Sequence, residues 1–234
     1  MNKNLFEIKD LYLKYETDNA ITGAKQVISA LNGITLNVQK GEILAIAGES
    51  GCGKSTLAKA MTLLEKPCSG EILFDGENIL GMRKEQVKDF RKKVQMVFQN
   101  PYSSLNPKMK IIDTLKEPLK INYRLSDVEI FNIINEKIKK VGIDINSLKL
   151  YPHEFSGGQR QRIAIARTLI LNPEVIIADE PVSALDVSIQ AQIINLIKEL
   201  KRDYNLTFVL ITHDMSVIKY LADRVVIMYL GEIV

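Results

Sequence analysis

The chain has 234 residues, 46% of them hydrophobic, and its 31 basic and 28 acidic side chains leave a net charge of only +3. That length and apolar content suit one large α/β domain with room for a smaller subdomain, and the near-balance of charge removes any bulk electrostatic case for nucleic acid as a partner. Cys52 and Cys68 lack the C-x-x-C spacing of a zinc site and suit a reducing cytoplasm, and no basic leader or apolar run of ~18 residues signals export or a membrane span.

In chain order, Leu5 to Leu13 mixes apolar and polar positions and Ile34 to Val38 alternates cleanly, so both read as half-buried strands of an antiparallel edge layer. The polar, Gly-containing stretch between them, Glu16 to Ala30, reads as a loop or loose hairpin. Lys40-Gly41 is a turn, and Ile43 to Ala47 has the character of a buried strand. Thr56 to Met61 is built from good helix formers. Pro67 to Gly70 breaks the chain, Glu71 to Phe74 reads as a strand, and Asp75-Gly76 signals a tight turn. Arg83 to Lys93 is a charged helix with a solvated face, followed by a short buried strand at Val94 to Phe98. Composition changes at Gln99. Asn100 to Pro107 is rich in turn formers, and Ile111 to Val141 carries helix-period apolar residues (Leu115, Leu119, Ile130, Ile133, Ile134, Ile138) on two or three short helices. Residues 100–154 therefore read as a helical subdomain inserted in a core of 1–99 and 155–234. A long helical pattern follows Phe155 and ends before Asn172-Pro173. Val175 to Ala178 is an apolar strand, Ser188 to Tyr204 an amphipathic helix, and Thr207 to Thr212 another strand.

Chemistry enters where these elements meet. Gly48-Glu49-Ser50-Gly51-Cys52-Gly53-Lys54-Ser55 fits the phosphate-loop pattern at every fixed position, between a strand and a helix that continues through Thr56. Its glycines let backbone N–H groups turn inward at a helix N-terminus, Lys54 reaches toward β- and γ-phosphates, and the Ser55 hydroxyl suits Mg²⁺. Cys52 occupies a variable position of the loop and reads as packing. Ser156-Gly157-Gly158-Gln159 opens a second helix suited to anions, although alone it is equally an N-cap. Asp179 and Glu180 end an apolar strand at the edge where open α/β sheets bind ligands. Asp179 suits the Mg²⁺ shell and Glu180 the attacking water. His213, at another strand end, suits a γ-phosphate contact that also braces that carboxylate.

With these motifs in this order, the chain resembles an ABC-transporter ATP-binding subunit over essentially its whole length. The resemblance identifies Gln99 with the Q-loop and a Mg²⁺ contact, Ser156 to Gln159 with the signature, and Ser183 to Asp186 with the D-loop. It implies a P-loop NTPase core with a RecA-like parallel sheet, an antiparallel β edge layer and an inserted helical subdomain. It also implies ATP and Mg²⁺ as ligands and a head-to-tail dimer with a second ATPase subunit, either a paralogue or itself, in which the signature and Asp186 face the partner's nucleotide. Two transmembrane permease subunits are then expected near Gln99 and the helical subdomain. An extracytoplasmic substrate-binding protein would act indirectly, and the chain would lie at the cytoplasmic face of the membrane. In such subunits an aromatic near the end of the first strand stacks on adenine, with Tyr15 the first candidate and Tyr12 the second.

Finer similarity, in Val94 to Pro107, Ala184 to Gln192 and Met228 to Gly231, is to the dipeptide, oligopeptide and nickel importer group, whose peptide members usually continue beyond such a Met-Tyr-Leu-Gly run. We therefore expect an ATPase driving uptake of di- or oligopeptides, with nickel as the alternative cargo. A DNA-repair or translation ATPase of the same class is the more distant alternative; such proteins usually carry long insertions or two cassettes.

Overall fold

The computed structural model describes residues 3–18, 25–99 and 104–234, and the chain divides into two compact units, Met1–Asp89 with Thr207–Val234, and Phe90–Leu206. In the first unit, β1 (Asn4–Asp18) pairs antiparallel with β2 (Lys25–Gln39) on one side and with β4 (Ser69–Phe74) on the other, and β5 (Glu77–Asn78) completes this sheet. The mixed pattern of Leu5 to Leu13 has a structural cause. Phe6 and Ile8 are buried, the register shifts, and Leu11 and Leu13 are buried in the opposite phase. A bulge at Asp10, with φ of 45° and its N–H held by the Thr35 hydroxyl at 3.1 Å, absorbs the extra residue. Only glycine fits opposite it: a Cβ on Gly70 would lie 2.4 Å from the Asp10 carbonyl oxygen.

The expectation of a loop over Glu16 to Ala30 is corrected here in favour of the hairpin. The strands run on to Asp18 and resume at Lys25, with Glu16 opposite Val27. The polar residues of this stretch obscured it, because backbone ladder bonds are indifferent to side chains that face water. Residues 19–24 of that stretch, and 100–103 of the turn-rich segment after Gln99, lie outside the described residues.

The parallel sheet of the first unit places β3 (Ile43–Gly48) between β8 (Thr207–Ile211) and β9 (Arg224–Tyr229), with the short β10 (Glu232–Ile233) antiparallel to β9. All of β8 and Ile43 to Ala47 of β3 are buried, which is why they read as continuous apolar runs. The phosphate-loop helix α1 (Lys54–Met61) follows β3. Helix α2 (Lys84–Lys93) leads into the second unit, where β6 (Val94–Val97) pairs in parallel with β7 (Val175–Asp179).

Between β6 and β7 come α3 (Ile111–Asn122), α4 (Asp127–Lys140) and α5 (Gly157–Leu169). Leu115, Leu119, Ile130, Ile134 and Ile138 are buried as their spacing predicts, whereas Ile133, at the margin of the stripe, is half-buried. Helix α6 (Val187–Tyr204) is tied to α4 by charge. Lys140 and Arg202 both grip Asp203, and the buried Lys137 ammonium lies 4.4 Å from the centre of the Tyr204 ring and 2.9 Å from Glu136. Among the described residues no helix is long and apolar enough to cross a membrane.

Candidate functional site

The phosphate loop leaves β3 under close packing. A Cβ on Gly48 would fall 2.2 Å from the Met228 carbonyl oxygen, and one on Gly53, whose φ is 107°, would fall 2.4 Å from that of Ala30. Glycine at these two positions thus lets the loop sit directly on β9 and β2. The Gly231 N–H donates to the Cys52 carbonyl at 3.0 Å, fixing the loop's far side. Lys54 is buried, and its ammonium donates to the carbonyls of Gly48 at 2.8 Å and Glu49 at 2.7 Å and lies 3.6 Å from the Cys52 sulfur. The cation therefore sits inside the loop it belongs to and holds it curled. Cys52 is buried beneath Gly48, as a packing role requires. Gly53 is the N-cap of α1 and supplies no side-chain cap, and the first N–H groups of the helix have no intrahelical acceptor. Glu49, Ser50, Gly51 and Ser55 are exposed, and Thr56 is half-buried.

Two more candidates lie in the same unit. His213 is exposed between β8 and α7 (Met215–Leu221). The chain around it is pinned: the Thr212 hydroxyl accepts the Asp214 N–H at 3.1 Å, and the Asp214 carboxylate caps α7 at Ser216 and Val217. Tyr15 is half-buried and pairs with Ile28, two residues from the Ala30 carbonyl that abuts Gly53. Tyr12 is exposed, and its hydroxyl occupies the space that a Cβ on Gly33 would enter. Tyr12 pairs with Asn32, as near in register to Ala30 as Ile28 is, so both tyrosines flank the stretch that abuts Gly53.

In the second unit, Asp179 is buried at the end of β7, and Glu180 leaves the strand with a left-handed φ of 45°. The Gln99 amide donates to the Glu180 carboxylate at 2.8 Å, so two motifs far apart in sequence meet. The signature opens α5 with a capping box: the Ser156 hydroxyl accepts the Gln159 N–H at 3.3 Å, and the Gln159 side chain accepts the Ser156 N–H at 2.9 Å. Gly157 and Gly158 form the first turn, whose N–H groups have no intrahelical acceptor. Gly158 also admits α6: a Cβ there would be 2.4 Å from the Ile189 Cγ2. Asp186 is the exposed N-cap of α6, and its carboxylate makes no bond to its own helix.

The structure adds side chains to which the sequence analysis gave no role. Arg167, near the end of α5, donates to the Ser104 carbonyl at 3.3 Å and to Glu117 of α3 at 3.0 Å, and Arg162 joins the Val141 carbonyl to Gln192. Gln190 bonds two carbonyls of the segment after Glu180. It lies within the Ala184 to Gln192 run, but only the folded turn shows what its amide reaches.

Among the described residues no cluster of three or more His, Cys, Asp or Glu side chains could hold a metal ion.

Residues 31–183 match the sequence profile of the family described as ABC transporter. The chain is 48% identical to a di/tripeptide transport ATP-binding protein, DppF, of Pseudomonas aeruginosa, over 96% of this chain and 69% of that one. It is 45% identical to an oligopeptide transport ATP-binding protein, OppF, of Bacillus subtilis, over 100% of this chain and 75% of the relative. Among solved structures it resembles a dimeric ATP-binding cassette in a post-hydrolysis state with ADP and Pi, with a TM-score of 0.86 and 31% identity over 97% of this chain and 96% of that chain.

Proposed function

The chain belongs to the ABC transporter family, and from that premise we propose that it is the ATP-hydrolysing subunit of a membrane importer of di- and oligopeptides. The observation that carries the ATPase reading is the phosphate loop, curled around a buried Lys54 with an uncapped helix start behind it. The peptide cargo is supported by relatives named for di/tripeptide and oligopeptide transport, which favour it over nickel.

In this reading the loop N–H groups from Glu49 to Thr56 bind the phosphates, Lys54 neutralises them, and Tyr15 stacks on adenine. Mg²⁺ bound with the nucleotide would supply neutralisation of phosphate charge. Ser55, Gln99 and, through water, Asp179 are the residues that would hold it. The Glu180 carboxylate accepts a proton from the attacking water, and Gln99, already bonded to that carboxylate, fixes its orientation. His213 contacts the γ-phosphate. Ser156 to Gln159 and Asp186 face the nucleotide of a second ATPase subunit, related or identical, in a head-to-tail dimer. The dimeric neighbour and the presence of two anion-suited helix starts in one chain support this arrangement. Two permease subunits dock near Gln99 and the helical subdomain of residues 100–154, on the cytoplasmic face of the membrane. An extracytoplasmic binding protein delivers the cargo to them.

The test is uptake of a labelled dipeptide, a longer peptide and nickel in cells carrying either the intact chain or its Glu180→Gln variant. Loss of peptide uptake alone is expected. Loss of nickel uptake alone would overturn the peptide assignment.

A further inference from the structure

Between Glu180 and Asp186 the chain turns twice. The Glu180 carbonyl accepts the Ser183 N–H at 3.3 Å and the Ser183 hydroxyl at 3.2 Å. The Leu185 N–H reaches the Val182 carbonyl at 3.1 Å, and the Asp186 carbonyl then receives the N–H groups of Ile189 at 2.9 Å and Gln190 at 2.8 Å as α6 begins. Across both turns lies the Gln190 side chain, whose Nε2 donates to the Val182 carbonyl at 3.1 Å and to the Leu185 carbonyl at 3.0 Å. Both partners are pure acceptors, so only the NH₂ end of the amide can face them, and both of its hydrogens are engaged.

The base of this brace is rigid, because Gln190 belongs to the first turn of an 18-residue helix. Its far end stands next to a strained point: Glu180 holds a backbone conformation that a non-glycine residue keeps only when its surroundings enforce it. The brace therefore ties Val182 to Leu185, inside the segment bounded by Glu180 and Asp186.

We infer that Gln190 is a positioning residue that makes the segment from Glu180 to Asp186 one stiff piece, so that docking of the second subunit at Asp186 sets the aim of the Glu180 carboxylate. This rests on the roles proposed for those two residues. A small error in the placement of a catalytic group lowers turnover steeply while leaving ground-state binding of the nucleotide alone.

The test is steady-state ATP hydrolysis by the full chain in its membrane assembly, with thermal midpoints, for Gln190→Met, Gln190→Arg and Glu180→Gln. Methionine keeps the length and bulk of glutamine but has no N–H, whereas arginine restores paired donors. With Gln190→Met, kcat should fall about tenfold or more while KM for ATP moves less than about twofold and the midpoint holds. Gln190→Arg should recover most of that loss. A wild-type kcat for Gln190→Met beside an inactive Glu180→Gln would overturn the proposal. A joint fall of kcat, ATP affinity and midpoint that arginine does not relieve would also overturn it, since that marks a packing role only. Normal hydrolysis by Glu180→Gln would instead remove the assignment of Glu180, and with it the function of the brace.

Discussion

The two helix starts that suit anions are built in opposite ways. At α1 the N-cap is Gly53, no side chain closes the helix end, and a buried lysine holds the preceding loop in a curl. At α5 the end is closed by the Ser156 and Gln159 capping box, and the signature residues Ser156 to Gln159 bring no cation of their own. The first combines a buried cation with a helix start that no N-cap side chain closes. The second offers a dipole, a hydroxyl and the N–H groups of two glycines, and no charge of its own. In the proposed reading the first is the chain's own nucleotide site and the second serves the nucleotide of another subunit.

That contrast can be broken in graded steps. The largest effect should come from Glu180→Gln, which preserves shape but removes the proton acceptor; hydrolysis should fall about 10²- to 10⁴-fold with ATP binding retained, as measured by turnover beside nucleotide titration. Lys54→Ala should weaken ATP binding about 10- to 100-fold in equilibrium titration, because a charge-assisted contact is lost at the chain's own site. Ser156→Arg should leave that binding within about twofold and abolish ATP-dependent dimerisation on a sizing column, since it alters only the second helix start. Equal loss of ATP binding in the Lys54 and Ser156 variants would erase the distinction between the two ends.

Gly158→Ala should act through packing. Its Cβ would meet the Ile189 Cγ2 at 2.4 Å, and overpacking of that kind costs about 1–3 kcal/mol. Adding Ile189→Ala should restore part of the thermal midpoint, which no repair of phosphate contacts would do. The smallest effect concerns the junction of α4 and α6. Hydrogen bonds from Arg202 and then Lys140 hold the Asp203 carboxyl below the usual carboxylate range, and Lys137 does the same for Glu136. A depressed folded value stabilises the native state above the unfolded value and is lost as pH falls through the folded one, so this contribution should fade below about pH 4. Asp203→Asn should flatten the acid side of a midpoint-versus-pH curve slightly.

Much of this was legible before folding. The apolar runs of β3, β7 and β8, the glycine spacing around Lys54, and the Ser156 to Gln159 spacing of a capping box are local signals, since periodicity, turn chemistry and caps act over a few residues. The hairpin was less visible because its polar positions carry no apolar pattern while its backbone ladder does not need one. The bulge at Asp10 likewise showed only as a blurred alternation.

Residue identity and local spacing set the chemistry available: which groups can bind phosphate, accept a proton or cap a helix. The tertiary structure alone decided which groups meet. Gln99 and Glu180 are 81 residues apart and share a hydrogen bond, Gly158 is small because Ile189 approaches it, and Gln190 reaches the carbonyls of a turn that exists only once β7 has ended and α6 has begun. Such contacts depend on distances through space that no local rule of propensity or spacing encodes.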